Sequence, residues 1–498
     1  MNINRNRIKK VFIANRAEIA RRIQTACHTN NIQTVSVYTQ EDQKSPYVYN
    51  ATESYKLSKD GCDGYLNQDE LINIAKKSNA DAVHPGYGFH SENYVFAQKV
   101  IDAGLTWIGP DPQSIQLMGN KIEARKKMIL VNVPVIPGEH FTANEGARAE
   151  QKALEIGYPV ILKSALGGGG KAMRKIDSEN QFKELWNSVV SESKNMFHSE
   201  EIILEKYISH GRHIEVQIAG DGENFIHLYE RECSIQRRQQ KIIEETPCKF
   251  LSAQTKEKLY EAAIKAAKSA QYKNLGTVEF IVTPDEQFYF LEMNTRLQVE
   301  HAVTEISTGI DLVSLQLAIA ERKKLPLTQK HVTQTRHAIE CRVYAEDPKH
   351  NFVPSSGKIT VLQLPHEPFL RIDHDLEEQM EVSPFFDPMI AKVITSGNSR
   401  AKAIVNMHNA LQSVSIVGIK TNTDFLKNII RSETFALGKF DTQTLKDQNA
   451  IDAFITKKQP VLHTDDIKII AATVISENLG SSESKKRTSS NWRTQQWR

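Results

Sequence analysis

The sequence predicts a chain of mixed α/β and α+β class, with an N-terminal parallel-sheet segment, a strand-rich middle and a C-terminal α+β segment. Three observations carry that prediction. The 498 residues suffice for roughly three domains at about 100 to 200 residues each. Residues 8–39 read strand, helix, strand (KKVFIA, AEIARRIQTACHT, TVSVYT), which is a βαβ unit. Residues 200–300 are dense in strand-like runs: EIILEKY, HIEVQIAG, NFIHLYERE, TVEFIV and QFYFLEMN.

Along the chain, Ile19, Ile23 and Ala26 keep helical spacing between the first two strands. A second helix at 68–78 precedes ADAVHPGYGF, a strand ending in a Gly- and Pro-rich turn. Such a turn at the carboxyl edge of a parallel sheet is a usual place for ligand contacts. The first segment ends near WIGPDP, and a helix follows at 120–131. PVILK, ALGGGG and AMRKI then imply a glycine flap between two strands. A helix is expected at 308–322, and a third segment runs from HAIECRVYAED to about residue 446. Past 447, TDDIKIIAATVISENLG carries Ile467, Ile470 and Val474 at helical spacing, with Gly480 as a stop. The expected boundaries are 7–118, 119–325 and 335–447, then an extra helical segment at 448–480. Residues 481–498 are polar, basic and Ser-rich and read as a disordered tail.

Composition narrows the classes. Lys and Arg number 63 against 60 Asp and Glu, a net charge of +3, so no global field argues for nucleic acid. No apolar run approaches the ~18 residues of a membrane span. VFIA, before Asn15 and Arg16, is too short for a signal-peptide core, so a cytoplasmic protein is expected. Cys27, Cys62, Cys233, Cys248 and Cys341 are odd in number and never in a CxxC spacing, which points to buried free thiols.

The richest stretch is LEMNTRLQVEH. Glu292, Asn294, Arg296, Gln298 and Glu300 alternate with Leu291, Met293, Leu297 and Val299, so an extended chain is polar on one face. A solvated face gives the same pattern, but seldom beside a run as apolar as QFYFL. The preceding TPDEQ reads as a hairpin turn, and folding about residues 285 and 286 sets Glu279 opposite Glu292. Opposed carboxylates repel unless a cation lies between them. Glu279, Glu292 and Asn294 therefore suit magnesium or manganese holding nucleotide phosphates, unless a slipped register splits the pair. The glycine run is no Walker loop, because Ala165 and Ala172 stand where that motif needs Gly and Ser or Thr. It remains a flap able to approach phosphate, with Lys163 as a point charge beside it. ERECSIQRRQQKIIEETP gathers Arg237, Arg238 and Lys241 beside Gln236, Gln239 and Gln240, either an exposed basic loop or the holder of a small anion.

IANRAEIARRI, HPGYGFHSEN, LMGNK, GGGGKAM, EKYISHGRHIEVQ, ERECSIQRRQQK, LEMNTRLQVEHAVTE, HAIECRVYAEDP, FVPSSGKI and GIKTNTDFL together resemble biotin carboxylase. This is the ATP-grasp part of acyl-CoA and pyruvate carboxylases, and the match runs in order over about residues 7–446. The resemblance implies an N-terminal Rossmann-like (pre-ATP-grasp) domain, a central ATP-grasp domain and a C-terminal α+β biotin carboxylase domain. It also implies that ATP is held by Lys121, Lys163, the flap at Gly168, Gly169 and Gly170, Glu205, Lys206, Tyr207, Ile208, His213, Gln236 and Gln239. Glu279, Glu292 and Asn294 would hold two divalent ions, magnesium or manganese. Lys241, Arg296, Gln298 and the Val299 backbone would bind bicarbonate, and Glu300 would be the base that deprotonates it. Carboxyphosphate would form and break down to CO2 and phosphate, with Arg342 stabilising the biotin enolate and Tyr87 beside biotin. The implied partners are a biotin carboxyl carrier protein and a carboxyltransferase subunit, with the chain itself a homodimer.

Departures from the family pattern are Ala17, Ala172 and Arg336 for Gly, Asn132 for Gly, Ala302 for Pro, and Gln239 for His or Asn. A replaced glycine at positive φ would cost about 1 to 2 kcal/mol, so reduced turnover is expected rather than lost chemistry. No Ala-Met-Lys-Met-like biotinylation sequence is present, so the chain is expected to act on another polypeptide. The competing expectations are an impaired or non-catalytic assembly subunit of the same fold, or another ATP-grasp ligase such as one making carbamoyl phosphate.

Overall fold

The computed structural model describes residues 7–165, 172–321, 324–446 and 448–456. Its first sheet is parallel, with strands in the spatial order Glu53–Lys56, Gln33–Tyr38, Lys10–Ile13, Ala82–His84 and Thr106–Trp107. Val11, Phe12 and Ile13 are all fully buried because both faces are covered. Helix Ala17–Thr29 brings Ile19 and Ile23 against Val11 and Ile13, while Phe12 packs with Leu71 and Phe96 on the opposite face. The loops leaving the carboxyl edge are tied together by Asn15, whose Nδ2 donates to the carbonyls of Pro85 (2.7 Å) and Tyr87 (2.8 Å).

A second sheet of eight antiparallel strands runs Phe288–Asn294, Lys273–Val282, Arg212–Asp221, Phe225–Arg237, Gln240–Thr246, His337–Tyr344, Met389–Gly397 and Leu370–His374. Ile243 pairs with Cys341 and Glu244 with Glu340, so the middle and third segments share one sheet. A small four-stranded antiparallel sheet (Gly138–Thr142, Glu201–Lys206, Val160–Ser164, Met173–Ile176) has its own core of Phe141, Leu162, Trp186 and Leu204. Its last two strands bracket the glycine run. Gly168, Gly169 and Gly170, the helix expected before Gly480 and the tail at 481–498 lie outside the described residues.

Several expectations need correction. The strand-rich stretch at 200–300 also holds helix Ala253–Ser269, which the sequence reading did not name and whose buried Leu259, Ala263, Ala266 and Ala267 keep helical spacing. The helix expected at 308–322 is Leu312–Ala320, preceded by a separate helix His301–Thr308. Left-handed Gly309 (φ 74°) ends the first, and the two lie 96° apart. The polar stripe is therefore not one strand, since the strand stops at Asn294 and Glu300 holds the N-cap position of the following helix. ERECSIQRRQQK is a hairpin, not a loop: strands end at Arg237 and resume at Gln240, across a turn with both Arg238 (φ 50°) and Gln239 (φ 66°) left-handed. Cys62 is exposed, whereas the other four thiols are buried. Past 447, helix Gln448–Thr456 buries Ile451 and Phe454 in the same core as Met407 and Phe425. Among the described residues no single helix is long and apolar enough to cross a membrane.

The replaced glycines divide into two groups. Ala17 (φ 55°), Ala172 (φ 48°) and Asn132 (φ 55°) occupy left-handed backbone, and Arg336 does not. Ala302 sits in the first turn of His301–Thr308, where either Ala or Pro is accommodated. Relief of a β-carbon clash, less the greater freedom of an unfolded Gly, gives Ala17→Gly a gain of about 1 kcal/mol. The urea midpoint should rise for Ala17→Gly and not for Arg336→Gly. A midpoint unchanged in both would remove the strain assigned to Ala17.

Candidate active site

A cavity of about 950 Å³ opens where the carboxyl edge of the parallel sheet meets the small sheet and the eight-stranded sheet. Every site residue expected from the sequence, among those described, lines it. They come from all three segments: Tyr87 from the first, Lys121 to Glu300 from the middle and Arg342 from the third.

Register builds the centre. Glu215 pairs across the sheet with Arg231 on one side and Glu279 on the other, and Glu279 pairs in turn with Glu292. The hairpin alignment expected from the sequence is thus the observed one, with a bulge immediately after Glu279. One Arg and three carboxylates stand in a row across four strands, an arrangement that needs added positive charge. Lys241 supplies it. Its Nζ donates to Glu215 (2.5 Å), Glu279 (2.7 Å) and Glu300 (2.7 Å). Arg231, wholly buried, donates to Glu215 at 2.5 Å. Glu300 receives a second cation on its other oxygen, Arg342 Nη2 at 2.8 Å, and Arg342 Nε reaches Glu244 at 2.6 Å.

These contacts set the protonation states. Burial pushes Glu279 up, but Lys241 and His213 outweigh it and hold the carboxyl well below its ordinary range. Burial likewise opposes the ionised form of Glu300, and Lys241, Arg342 and Arg231 overcome it. Glu292 goes the other way, raised by burial and by the charge of Glu279. Burial lifts Glu244 to about 7 despite Arg342.

Arg296 lies beside this centre, with Nε on Glu92 (3.0 Å), Nη1 on the Gln298 amide oxygen (2.7 Å) and Nη2 on Asn294 Oδ1 (2.9 Å). Gln298 and Asn294 both donate to Glu279, at 2.9 and 2.8 Å. On the small-sheet side, Lys163 and Arg125 converge on Glu205 (2.8 and 3.1 Å), and Gln236 meets the His213 ring at 2.7 Å. Arg237 does not serve the cavity, being buried against Glu346 at 2.7 Å. Glu279, Glu292 and Asn294 offer hard oxygen donors on adjacent strands, the set that magnesium or manganese prefers. Two carboxylates paired across a ladder, the second raised by the first, fit a divalent cation between them.

Sequence reasoning missed Glu215, Arg231, Glu244 and Glu92. The signal was present for the first two, since each is a charge inside a strand-like run (HIEVQIAG, NFIHLYERE), the first of them buried throughout. A charge there requires a partner.

Comparison with known proteins agrees with this geometry. Residues 7–115 match the biotin carboxylase N-terminal domain, 120–328 the ATP binding domain of carbamoyl-phosphate synthase L chain, and 340–447 the biotin carboxylase C-terminal domain. Biotin carboxylase 2 of Bacillus subtilis is 45% identical over 439 residues, covering 88% of this chain and 99% of that one. The biotin carboxylase of Halalkalibacterium halodurans is 44% identical over 436 residues, 87% of this chain and 96% of the other. The Campylobacter jejuni biotin carboxylase complexed with β-γ-ATP superposes with a TM-score of 0.85 at 41% identity, over 88% and 98% of the two chains. A biotin carboxylase domain dimer of Hydrogenobacter thermophilus 2-oxoglutarate carboxylase, with MgADP, ADP and bicarbonate, gives 0.87 at 38% identity, over 91% and 100%. A three-part α/β chain with an ATP-grasp cavity is thus defined first, and within that class the chain belongs to the biotin carboxylase family.

The Glu279 and Glu292 pairing has a measurable cost. A carboxyl whose folded-state pKa is raised above the unfolded 4.5 makes the folded state bind more protons, so stability is lost as pH rises from 4.5 upward. In chelator-treated protein, Glu292→Gln should abolish that component and gain up to about 1 kcal/mol at neutral pH. Thermal midpoints across pH check it, and a variant less stable than wild type at pH 7 would contradict the repulsion.

Proposed function

We propose that the cavity catalyses ATP- and bicarbonate-dependent carboxylation of biotin on a separate carrier protein. This is the first half-reaction of a biotin-dependent carboxylase, an ATP-dependent ligase. One observation carries the reading: Lys241 is shared between Glu279, which faces Glu292, and Glu300, which Arg342 holds from the other side. A metal-and-phosphate centre thereby abuts a base and a cation suited to an oxyanion.

In this reading Glu205 to Ile208 line the nucleotide's place, and Lys121, Lys163, His213 and Gln236 hold phosphate oxygens. Divalent ions on Glu279, Glu292 and Asn294 supply charge neutralisation for phosphoryl transfer. Bicarbonate is held by Lys241, Arg296, Gln298 and the Val299 backbone, within reach of Glu300. All three Lys241 donors are already committed, so an arriving anion displaces a carboxylate from the ammonium. Glu300, losing a donor, becomes a stronger base as it takes the bicarbonate proton.

The bicarbonate oxygen then bonds to the γ-phosphorus, the bond to the β-phosphate oxygen breaks, and ADP leaves. Cleavage of the carboxyphosphate C–O bond gives CO2 and phosphate, which accepts the N1′ proton of biotin. That nitrogen attacks CO2. Arg342 neutralises the ureido oxygen, and Tyr87, whose buried hydroxyl has no hydrogen-bond partner, stands beside the ring. A carboxyltransferase subunit and a homodimeric assembly complete the proposed system.

The two charged residues serve different steps. Glu300→Gln should abolish bicarbonate-dependent ADP release and carboxybiotin formation together. Arg342→Ser should keep slow ADP release while carboxybiotin falls about a hundredfold or more. Because Arg342 helps hold Glu300 ionised, the acid limb of ADP release in that variant should also move to higher pH. Parallel assay of ADP and acid-labile carboxybiotin decides, and equal loss of both products in Arg342→Ser would refute the separation of roles.

A further inference from the structure

Lys392 is the one fully buried lysine of the third segment's strands, and no step above uses it. It sits on strand Met389–Gly397, paired across the sheet with Arg342 on one side and Asp373 on the other. Its side chain is 0% exposed, and its Nζ donates to the Val299 carbonyl at 2.9 Å. Burying an ammonium is costly, so the groups around it explain why it is there. Glu18, from the helix that leaves the parallel sheet, lies 3.5 Å away, and Asp373 lies 3.5 Å away on the neighbouring strand. Glu340, wholly buried on the adjoining strand, has both carboxyl oxygens without a hydrogen-bond partner, and burial holds its carboxyl well above the usual range, so it adds little negative charge. The Tyr87 ring faces the ammonium at 5.9 Å.

Val299 and Glu300 form the turn that closes residues 295–300, the link between the Asn294 strand and the helix whose N-cap position Glu300 holds. Just before it, the Gln298 carbonyl accepts from the His301 N–H (3.3 Å) and meets the His301 ring (2.8 Å). The Val299 carbonyl, in the peptide that leads into Glu300, is held by Lys392.

Resting on the function proposed above, we propose that Lys392 is a positioning residue for the bicarbonate site. Its ammonium fixes the segment from Gln298 to Glu300 from beneath, and Asp373, with Glu18 beside it, balances its charge. Lys392 touches neither substrate nor reacting atoms. It acts through the Val299 peptide, so its loss lets the turn relax and displaces the anion-binding groups and the base together. A shift near 1 Å at such a site can cost about a hundredfold in rate.

The test uses the full chain with free biotin. Wild type must first show bicarbonate-dependent ADP release; its absence would bring down the reading of the site, and this inference with it. Given that activity, Lys392→Met should raise KM for bicarbonate about tenfold or more and lower kcat, with KM for ATP within about twofold. Lys392→Arg, which keeps a charged donor, should recover part of the bicarbonate affinity. A role in folding alone would move thermal stability while leaving KM for bicarbonate unchanged, and that result in a folded Lys392→Met overturns the proposal. Should Lys392→Met not fold, the charge-balanced Lys392→Met with Asp373→Asn should fold and still show the raised KM. Asp373→Asn alone should leave KM for bicarbonate near wild type. Failure of the balanced double variant to fold, or a normal KM in it, equally contradicts the assignment.

Discussion

Lys241 has three N–H donors, and the fold sets three buried carboxylates around them: Glu215, Glu279 and Glu300. Each carboxylate comes from a different element, so the ammonium joins strand Arg212–Asp221, strand Lys273–Val282 and the cap of helix His301–Thr308. Breaking such a buried pairing by removing one partner costs about 3 to 5 kcal/mol, because the other charges are left uncompensated. The same arithmetic makes the site responsive. A group so fully committed cannot accept a new anion without releasing an old one, and each release alters the basicity of the carboxylate set free.

Beyond that ammonium the charges continue as a ladder through the interior. Arg342 joins Glu300 to Glu244, and Lys392 lies between Glu18 and Asp373. Arg371 ties Asp373 to Glu305 (2.7 and 2.6 Å), and Arg22 ties Glu305 to Asp311 (2.7 and 2.9 Å). That end of the ladder lines a second cavity of about 490 Å³, to which Glu18 also contributes. The three segments of the chain are thus held to one another near the reaction centre by ion pairs. Apolar packing does the same work elsewhere, as where Ile235, Ile339 and Val393 share one core across the eight-stranded sheet.

The legible parts of the sequence were those governed by local rules. Period-two alternation and a TPDEQ turn fixed the hairpin that brings Glu279 to Glu292, and the helical spacing of Ile19 and Ile23 fixed the first helix. Alternation also misled, because it continued past Asn294 into residues that form a turn and a helix cap. Period two cannot distinguish a strand from a turn whose side chains point into one cavity. Glu215 and Arg231 were overlooked for a different reason: each is a single charge within a strand-like run, and only the register of the hairpin closed by residues 222–224 shows that the two meet. The left-handed backbone at Ala17 was anticipated only by resemblance to a glycine, since Ala itself gives no such sign.

The account turns on bicarbonate attacking the γ-phosphorus beside Lys241 and Glu300, and oxygen tracing tests this directly. With ¹⁸O-labelled bicarbonate, ATP, magnesium and free biotin, one labelled oxygen should pass into each inorganic phosphate released, because the new P–O bond survives when carboxyphosphate loses CO2. Phosphate carrying oxygen from water and none from bicarbonate would mean that no carboxyphosphate forms and that the site hydrolyses ATP by another route.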